Sequence, residues 1–311
     1  MPSRRLGFSL GIDIIPLKNC SYDCVYCQLG KTKNKVLLRK EYTPAQDVLA
    51  DIEKALKNYM HIDFLTFSGS GEPTLHKKIG YLIREIKKLT TIPVAVLTNG
   101  SLLHLPEVRD DLMNADVVIP TLCTADEDVF RVIHRGHNTV DIRNIINGYI
   151  DFRKDFKGQI WLEVMIVRGV NDKPEQIKRL KKVIEQIKPD RIHLNTVVRP
   201  PSESSAHPVS HEKLQELKDI LGSKTEIVVD FSETAKEIQN EDTLEMILAI
   251  ISRRPITADD LAKTTNLPKK EILECIKKLS QKGKVMISEH EGRKFYTIRG
   301  IDDRTKGPQQ G

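Results

Sequence analysis

The chain has 311 residues, of which 30% are charged and 39% hydrophobic, and its formal net charge is +6. This balance is typical of an ordinary globular protein, and the length suits one large domain followed by a small one. No apolar run approaches the ~20 residues of a membrane-spanning helix, no secretory leader is evident, and the five cysteines are an odd number. We therefore expect a cytoplasmic protein with reduced thiols and no membrane partner.

Strand-like and helix-like segments alternate through roughly the first 200 residues. Mostly apolar runs predict six strands, at 9–15, 62–67, 93–97, 117–119, 160–167 and 191–198. Helical patterns lie between them, after Thr43-Pro44, over 79–89, as a pair through about 156, and over 174–187. Apolar strands that alternate with helices are typical of a parallel α/β sheet.

The polar and glycine-rich segments of this region each follow a predicted strand. They are the cysteine loop at 20–27, the turn at 68–72, Thr98-Asn99-Gly100, the region of Thr121, and Arg199. In α/β sheets and barrels, ligands bind at the carboxyl ends of the strands. We therefore expect these segments to surround one mouth that holds the functional site.

The cysteine loop carries the most specific chemistry in the chain. Cys20, Cys24 and Cys27 are separated by three and then two residues, whereas Cys123 and Cys275 are isolated. Cysteine thiolates hold four-iron clusters, normally four at a time, so three ligands leave one iron open. Zinc is the main alternative, but structural zinc sites are usually closed by four protein ligands. The motif favours a 4Fe-4S cluster whose open iron binds S-adenosylmethionine.

The last third of the chain differs from the first part in its predicted elements and in its charge. Residues 202–240 carry a helical pattern at 212–221 and a short strand at 227–229, and we expect them to cover the sheet and lead into a linker. Residues 243–300 contain 12 Lys and Arg against 7 Asp and Glu, which is nearly all of the net positive charge.

Within 243–300 the pattern predicts helices over 243–252, 257–264 and 269–281, and then a hairpin of 285–288 and 294–298 that turns at Glu291-Gly292. Three helices followed by a two-stranded wing are typical of a winged helix-turn-helix domain. We therefore predict domains at 1–242 and 243–300, followed by a disordered tail at 301–311.

Several stretches resemble the radical S-adenosylmethionine (radical SAM) superfamily, and within it the group that contains the tRNA wyosine synthases. They are the cysteine loop with Tyr26 before its third cysteine, the run at 67–75 that contains Ser70-Gly71-Glu72, the opening at 2–30, and the segment at 162–172. The resemblance covers about residues 1–200 and implies an α/β partial (β/α)6 barrel of the radical SAM type. The wyosine synthases carry extra upstream cysteines for a second cluster, and this chain has none.

By position, the resemblance implies roles for particular residues. The cluster ligands would be Cys20, Cys24 and Cys27. Tyr26 would lie beside the adenine, Ser70, Gly71 and Glu72 would hold the methionine end, Asn99 and Thr121 would lie near the ribose or the methionine carboxylate, and Met165 and Val167 would pack on the adenine. Apart from the resemblance, Arg4 and Arg5 before the first strand and Arg199 at the end of the sixth are candidates for substrate contact, with solvated surface charge as the alternative for Arg4 and Arg5.

Four other residues have plainer interpretations. Cys123 stands where relatives tend to have Asp; the sequence gives no account of that change, and a small buried hydrophobe would need none. His134, His137 and His193 are interpreted as core or surface histidines, with proton donation as the alternative.

The implied activity is reductive cleavage of S-adenosylmethionine to a 5′-deoxyadenosyl radical, which takes a hydrogen atom from a substrate in the barrel mouth. A low-potential donor of the flavodoxin or ferredoxin type is the expected partner. The tRNA-directed relatives and the positive C-terminal module favour an RNA substrate. Three alternatives stay open: a protein- or peptide-modifying enzyme, including one that installs a glycyl radical, an enzyme for a small molecule, and a transcription regulator that uses the cluster as a sensor.

Overall fold

The computed structural model describes residues 2–3, 5–58, 62–228, 247–248, 250–252, 254–265 and 267–298. Its strands are β1 Pro2–Ser3, β2 Gly7–Ile12, β3 Phe64–Phe67, β4 Val94–Thr98, β5 Val117–Pro120, β6 Gln159–Ile166, β7 Arg191–Thr196, β8 Thr225–Ile227, β9 Val285–His290 and β10 Arg293–Ile298. Its helices are α1 Ala45–Asn58, α2 Ile79–Leu89, α3 Pro106–Leu112, α4 Glu127–His134, α5 Ile142–Asp155, α6 Pro174–Ile187, α7 His211–Leu221, α8 Ala258–Thr265 and α9 Lys269–Gln281.

The first eight strands form one sheet in chain order. β1 is antiparallel to β2, and every later pair from β2 to β8 is parallel. Seven parallel strands, with helices in the connections after β2, make the half-barrel of an α/β fold. This confirms the predicted fold class of the first domain.

Two strand predictions differ from the structure. β2 ends at Ile12, before the predicted end at residue 15, because the chain turns there toward the cysteine loop. The segment after β7 does more than cover the sheet, since α7 leads into β8 and Ile192 pairs in parallel register with Thr225. The parallel sheet therefore has seven strands instead of the predicted six.

The helices cover one side of the sheet with regularly spaced apolar residues. In α2, Ile79, Leu82, Ile83 and Ile86 are all 0% exposed, which is the spacing of one helical face. Burying each such side chain contributes about 1.5–3 kcal/mol before entropy is counted. Alternate residues of the strands point to the opposite side, and those that line a cavity there include Ser9, Thr66, Leu97, Ile119, Glu163, Met165 and Asn195.

The described C-terminal residues form a separate small core. Leu261 of α8, Ile272 and Ile276 of α9 and Tyr296 of β10 belong to one buried apolar cluster. His290 pairs with Arg293 across a two-residue turn, in which both residues have positive φ (48° and 70°). This is the geometry of a type I′ hairpin, so the predicted turn is confirmed.

Part of the predicted C-terminal module cannot be compared with the structure. The helix at 243–252 lies largely outside the described residues, and the tail at 301–311 lies wholly outside them. The winged-helix assignment and the domain boundaries therefore stay predictions. Of the helices in the described ranges, none has both the length and the apolar character of a membrane span.

Candidate active site

A cavity of about 410 Å³ opens at the carboxyl ends of the parallel strands. It brings together most of the residues singled out in the sequence: Arg5, Cys20, Cys24, Tyr26, Cys27, Ser70, Gly71, Glu72, Asn99, Thr121, Met165 and Arg199. Val167 does not line it, since this residue is 0% exposed and packs in an apolar cluster with Cys123. Arg4 lies outside the described residues.

The cysteine loop is shaped by backbone hydrogen bonds to distant segments. Lys18 N–H donates to the Ser70 carbonyl at 2.7 Å, and Glu72 N–H donates to the Asn19 carbonyl at 3.0 Å. Further along the loop, Val25 N–H donates to the Ile133 carbonyl at 2.9 Å. The loop is thus fixed against the turn after β3 on one side and the end of α4 on the other.

Gly71 permits the closest of these approaches. A Cβ atom at this position would lie 2.2 Å from the Asn19 carbonyl oxygen and 2.4 Å from Cγ2 of Ile15. No real Cβ contact is so short, so only glycine lets the turn lie against the cysteine loop in this way.

The three loop cysteines are free thiols that face the same cavity. Burial raises the pKa of Cys20 to about 12 and the pKa of Cys24 well above its ordinary value. Each sulfur has a side-chain nitrogen at hydrogen-bond distance: Asn99 Nδ2 at 3.3 Å from Cys20, His134 Nδ1 at 3.2 Å from Cys24, and Lys18 Nζ at 3.3 Å from Cys27.

This donor set fits a cubane cluster. Among the described residues, no three His, Cys, Asp or Glu side chains converge where one metal ion could bind. A 4Fe-4S cluster needs no such point, because its thiolate ligands are distributed over different irons. Nitrogen donors beside the sulfurs also suit thiolates that carry negative charge.

Glu72 is 2% exposed and joins the ends of β3 and β4. Its Oε1 accepts hydrogen bonds from Thr74 N–H at 3.0 Å, the Thr74 hydroxyl at 2.6 Å and the Thr98 hydroxyl at 2.6 Å, and its Oε2 accepts from Asn99 N–H at 2.7 Å. Burial raises the pKa of Glu72, and these hydrogen bonds oppose that rise. The carboxylate thus shapes the turn through the chain's own donors.

A polar group that sequence reasoning missed lies in the cavity, on the inner face of β6 and β7. The Glu163 carboxylate accepts hydrogen bonds from Arg5 at 2.5 Å, from Thr121 Oγ1 at 3.3 Å and from Asn195 Nδ2 at 3.4 Å. The signal was a single Glu inside an apolar strand, two residues before Met165 and therefore on the same face of that strand.

Tyr26 connects the cavity to a buried sulfur. Its hydroxyl lies 3.8 Å from Cys123 Sγ and 3.5 Å from His134 Nδ1. Cys123 is 1% exposed and packs with Val25, Val167 and other apolar residues. Cys123 thus has the burial and the apolar surroundings of a small core residue.

Other basic groups also line the cavity. Arg199 donates from Nη1 to Gln28 Oε1 at 3.0 Å. Lys18 also lines the cavity, as does Arg254 from the C-terminal segment.

Residues 14–195, more than half of the chain, match the family model of the Radical SAM superfamily. The UPF0026 protein of Methanocaldococcus jannaschii is 35% identical, and the match covers 98% of this chain and 96% of that protein. A protein named GTPase Obg from Brachyspira hyodysenteriae is 40% identical over 95% of this chain, but the chain spans only 44% of that protein's length.

Solved structures with a similar fold bind different molecules. Streptococcus suis SuiB bound to the precursor peptide SuiA is 18% identical, with a TM-score of 0.52 and coverage of 68% of this chain and 46% of that chain. TYW1 with a lysine-pyruvate adduct bound is also 18% identical, with a TM-score of 0.51 and coverage of 68% and 72%. At this identity the similarity shows the fold alone.

Two shorter sequence matches also differ in substrate. A GTP 3′,8-cyclase of Marinobacter nauticus is 29% identical over 57% of this chain and 54% of that protein. A dual-specificity RNA methyltransferase, RlmN, of Buchnera aphidicola is 25% identical over 56% of this chain and 50% of that protein.

Proposed function

Since this chain belongs to the radical SAM superfamily, whose enzymes use a 4Fe-4S cluster and S-adenosylmethionine, we propose that it is a radical SAM enzyme that modifies an RNA substrate, tRNA in particular. The observation that carries the RNA assignment is the position of the basic groups. Arg199 and Arg254 line the same cavity as the three loop cysteines, and Lys277 and Lys278 are exposed on α9. Phosphate groups of RNA are the natural partners of such a surface.

Cys20, Cys24 and Cys27 would hold the cluster, which supplies the electron that cleaves S-adenosylmethionine to methionine and a 5′-deoxyadenosyl radical. All three thiols face the cavity that contains the turn after β3. A low-potential flavodoxin or ferredoxin would be the electron donor.

Around the cysteines, the chain's own residues would bind and orient the nucleoside. Glu72 fixes the turn so that Ser70 and Gly71 present polar backbone groups to the methionine end. Asn99 and Thr121 follow β4 and β5 and would contact the ribose or the methionine carboxylate. Tyr26 and Met165 would pack on the adenine and exclude water from it.

The substrate would enter above this site. Arg5, held by Glu163 at 2.5 Å, would meet the polar part of the substrate inside the cavity, and Arg199 at the opening would contact its phosphate. Arginine suits this role because its planar guanidinium can bind phosphate through two hydrogen bonds. Residues 243–300 would form the second domain and bind RNA away from the reacting nucleotide.

The test is release of 5′-deoxyadenosine by anaerobically reconstituted protein under a low-potential reductant, with and without bulk tRNA from the same cell. We expect release that rises strongly with tRNA. Slow release that tRNA leaves unchanged would contradict the RNA assignment and point to a peptide or small-molecule substrate. If protein with an assembled cluster releases no 5′-deoxyadenosine, the assignment as an enzyme would be contradicted and a cluster-based regulator would be favoured.

A further inference from the structure

We propose that Lys18 and His134, together with Asn99, form a set of side-chain N–H donors, one beside each of the three ligand sulfurs, and that this set raises the reduction potential of the cluster. This inference rests on the proposed ligation by Cys20, Cys24 and Cys27. The three donors come from different parts of the chain, yet they meet three different sulfurs at 3.2–3.3 Å. Asn99 is also assigned to S-adenosylmethionine, so Lys18 and His134 are the donors whose substitution tests the reduction potential.

Lys18 is held in place by its own backbone. It has a φ of 64°, which is unusual for a residue that is not glycine and is energetically unfavourable. The hydrogen bond from its N–H to the Ser70 carbonyl at 2.7 Å fixes this turn. The side chain then reaches Cys27 Sγ with Nζ at 3.3 Å. The strained backbone of Lys18 therefore belongs to the residue that places a positive charge beside the Cys27 sulfur.

His134 is equally well fixed, from the other side of the loop. It is 2% exposed, and its ring centroid lies 5.1 Å from that of Tyr22 and 5.3 Å from that of Phe130. Its carbonyl accepts the N–H of Asp23 at 2.9 Å, which ties the end of α4 to the cysteine loop. Nδ1 consequently lies 3.2 Å from Cys24 Sγ.

The tautomer of this ring follows from the chemistry of its neighbour. A cysteine that binds iron is a thiolate and can only accept a hydrogen bond. Nδ1 must therefore carry the hydrogen of the neutral imidazole when the cluster is bound. His134 then acts as a donor that positions and stabilises the Cys24 thiolate, as groups around metal ligands commonly do.

Hydrogen bonds to the sulfurs raise the reduction potential of an iron–sulfur cluster. The reduced cluster carries one more electron than the oxidised one, so donors beside the sulfurs stabilise the reduced form more. A cationic donor is stronger than a neutral one. Both residues would thus ease electron transfer from the donor protein.

Four single variants test this, each reconstituted anaerobically without RNA. Lys18→Met and His134→Phe remove one donor each, and Lys18→Arg keeps an N–H donor at position 18. Lys31→Met removes the same charge from the cysteine loop region, but this lysine pairs with Glu203 at 3.0 Å and is 50% exposed at its side chain. The readouts are iron content per chain and the midpoint of a reductive titration followed by electron paramagnetic resonance.

We expect more negative midpoints for Lys18→Met and His134→Phe, a return toward the original midpoint for Lys18→Arg, and little change for Lys31→Met. Unchanged midpoints in Lys18→Met and His134→Phe at normal iron content would overturn the inference. So would an equal shift in Lys31→Met, because charge alone would then explain the effect. If His134→Phe does not fold, the comparison of Lys18→Met with Lys18→Arg still tests the inference, because Lys18 is partly exposed.

Failure of this inference differs from failure of the proposed function. If the unaltered protein assembles a cluster and cleaves S-adenosylmethionine while the midpoints stay unchanged, only the role of Lys18 and His134 is wrong. If no cluster assembles in the unaltered protein, the ligand assignment itself is wrong.

Discussion

At the scale of single residues, His193 shows how the barrel interior controls a titratable group. Its ring lies edge-on to Trp161, with 5.4 Å between ring centroids, and its Nδ1 has no hydrogen-bond partner among the described residues. Burial, with the nearby Arg5 charge, lowers the pKa of His193 from 6.5 to about 4. The folded chain therefore keeps this ring neutral well below neutral pH.

We predict that His193→Phe reduces the acid sensitivity of the fold. As pH falls below 6.5 the unfolded chain takes up a proton on this histidine first, and the folded chain follows only near pH 4. The stability that the neutral ring contributes is therefore intact above pH 6.5 and is lost as pH falls through about 4. The loss is on the order of 3 kcal/mol.

Urea unfolding of the apoprotein between pH 7 and pH 4 measures this difference. His207→Phe is the control, because His207 is exposed and the substitution is the same. Equal pH dependence in His193→Phe and the original chain would show that the ring does not titrate in this way.

The site residues differ in whether a short stretch of sequence is enough to identify them. Cys20, Cys24 and Cys27 stand out by spacing alone, and Glu72 lies in a recognisable glycine-rich turn. Glu163 gave only a weak local signal, a single Glu inside an apolar strand. Its partners Arg5 and Asn195 come from the segment before β2 and from β7, and they meet it only in the folded sheet. The sequence also suggested that Glu72 binds the methionine end directly, whereas its oxygens already accept hydrogen bonds from Thr74, Thr98 and Asn99.

At the scale of elements, the contact between the cysteine loop and the turn after β3 is the critical junction. We predict that Gly71→Ala lowers iron content per chain after reconstitution, because the new Cβ would lie 2.2 Å from the Asn19 carbonyl oxygen. Overpacking of this kind typically costs about 1–3 kcal/mol.

Gly169→Ala is the control for this prediction: a Cβ at Gly169 meets nothing within 4 Å, but its φ of +75° strains an alanine. This variant therefore shows what backbone strain away from the junction does to iron content. Both proteins are compared by iron content and by thermal unfolding of the apoprotein. Normal iron content in Gly71→Ala would show that the junction adapts without moving the thiols.

The exposed lysines of helix α9 are predicted to contribute to RNA binding. Lys277→Glu with Lys278→Glu should weaken tRNA binding and make it less sensitive to salt, by about one unit of slope for each lost phosphate contact. Binding is measured by filter retention over a range of salt concentrations. Lys178→Glu with Lys182→Glu on α6 makes the same charge change at exposed positions of the barrel, and a similar loss in that variant would mean that net charge alone is responsible.

The elements themselves were largely predictable, because period-2 and period-3.6 patterns are local. The short strands β1 and β8 were the difficult cases. β1 has two residues and β8 has three, which is too few for a periodic pattern. Their membership in the sheet depends on pairing with Phe8 and Ile192, and such pairing is a tertiary contact.

At the scale of the whole molecule, bound S-adenosylmethionine should stabilise the barrel. At 100 times its dissociation constant, a ligand that binds only the folded chain adds about 2.7 kcal/mol. We expect anaerobic calorimetry of the cluster-loaded protein, without reductant, to show a higher unfolding temperature with the ligand. The Cys24→Ala variant should show a smaller shift, and an equal shift would mean that the ligand binds independently of the cluster.

The backbone hydrogen bonds that shape the cysteine loop also have a consequence for biosynthesis. Cys24 depends on His134, which lies 110 positions further along the chain, and the loop itself bonds to Ile133 and His134. A nascent chain on the ribosome cannot present the three thiols in this arrangement until α4 has been made and has docked. Cluster insertion must therefore follow folding of the barrel, and the proteins that deliver the cluster must bind the folded barrel at the open end of its cavity.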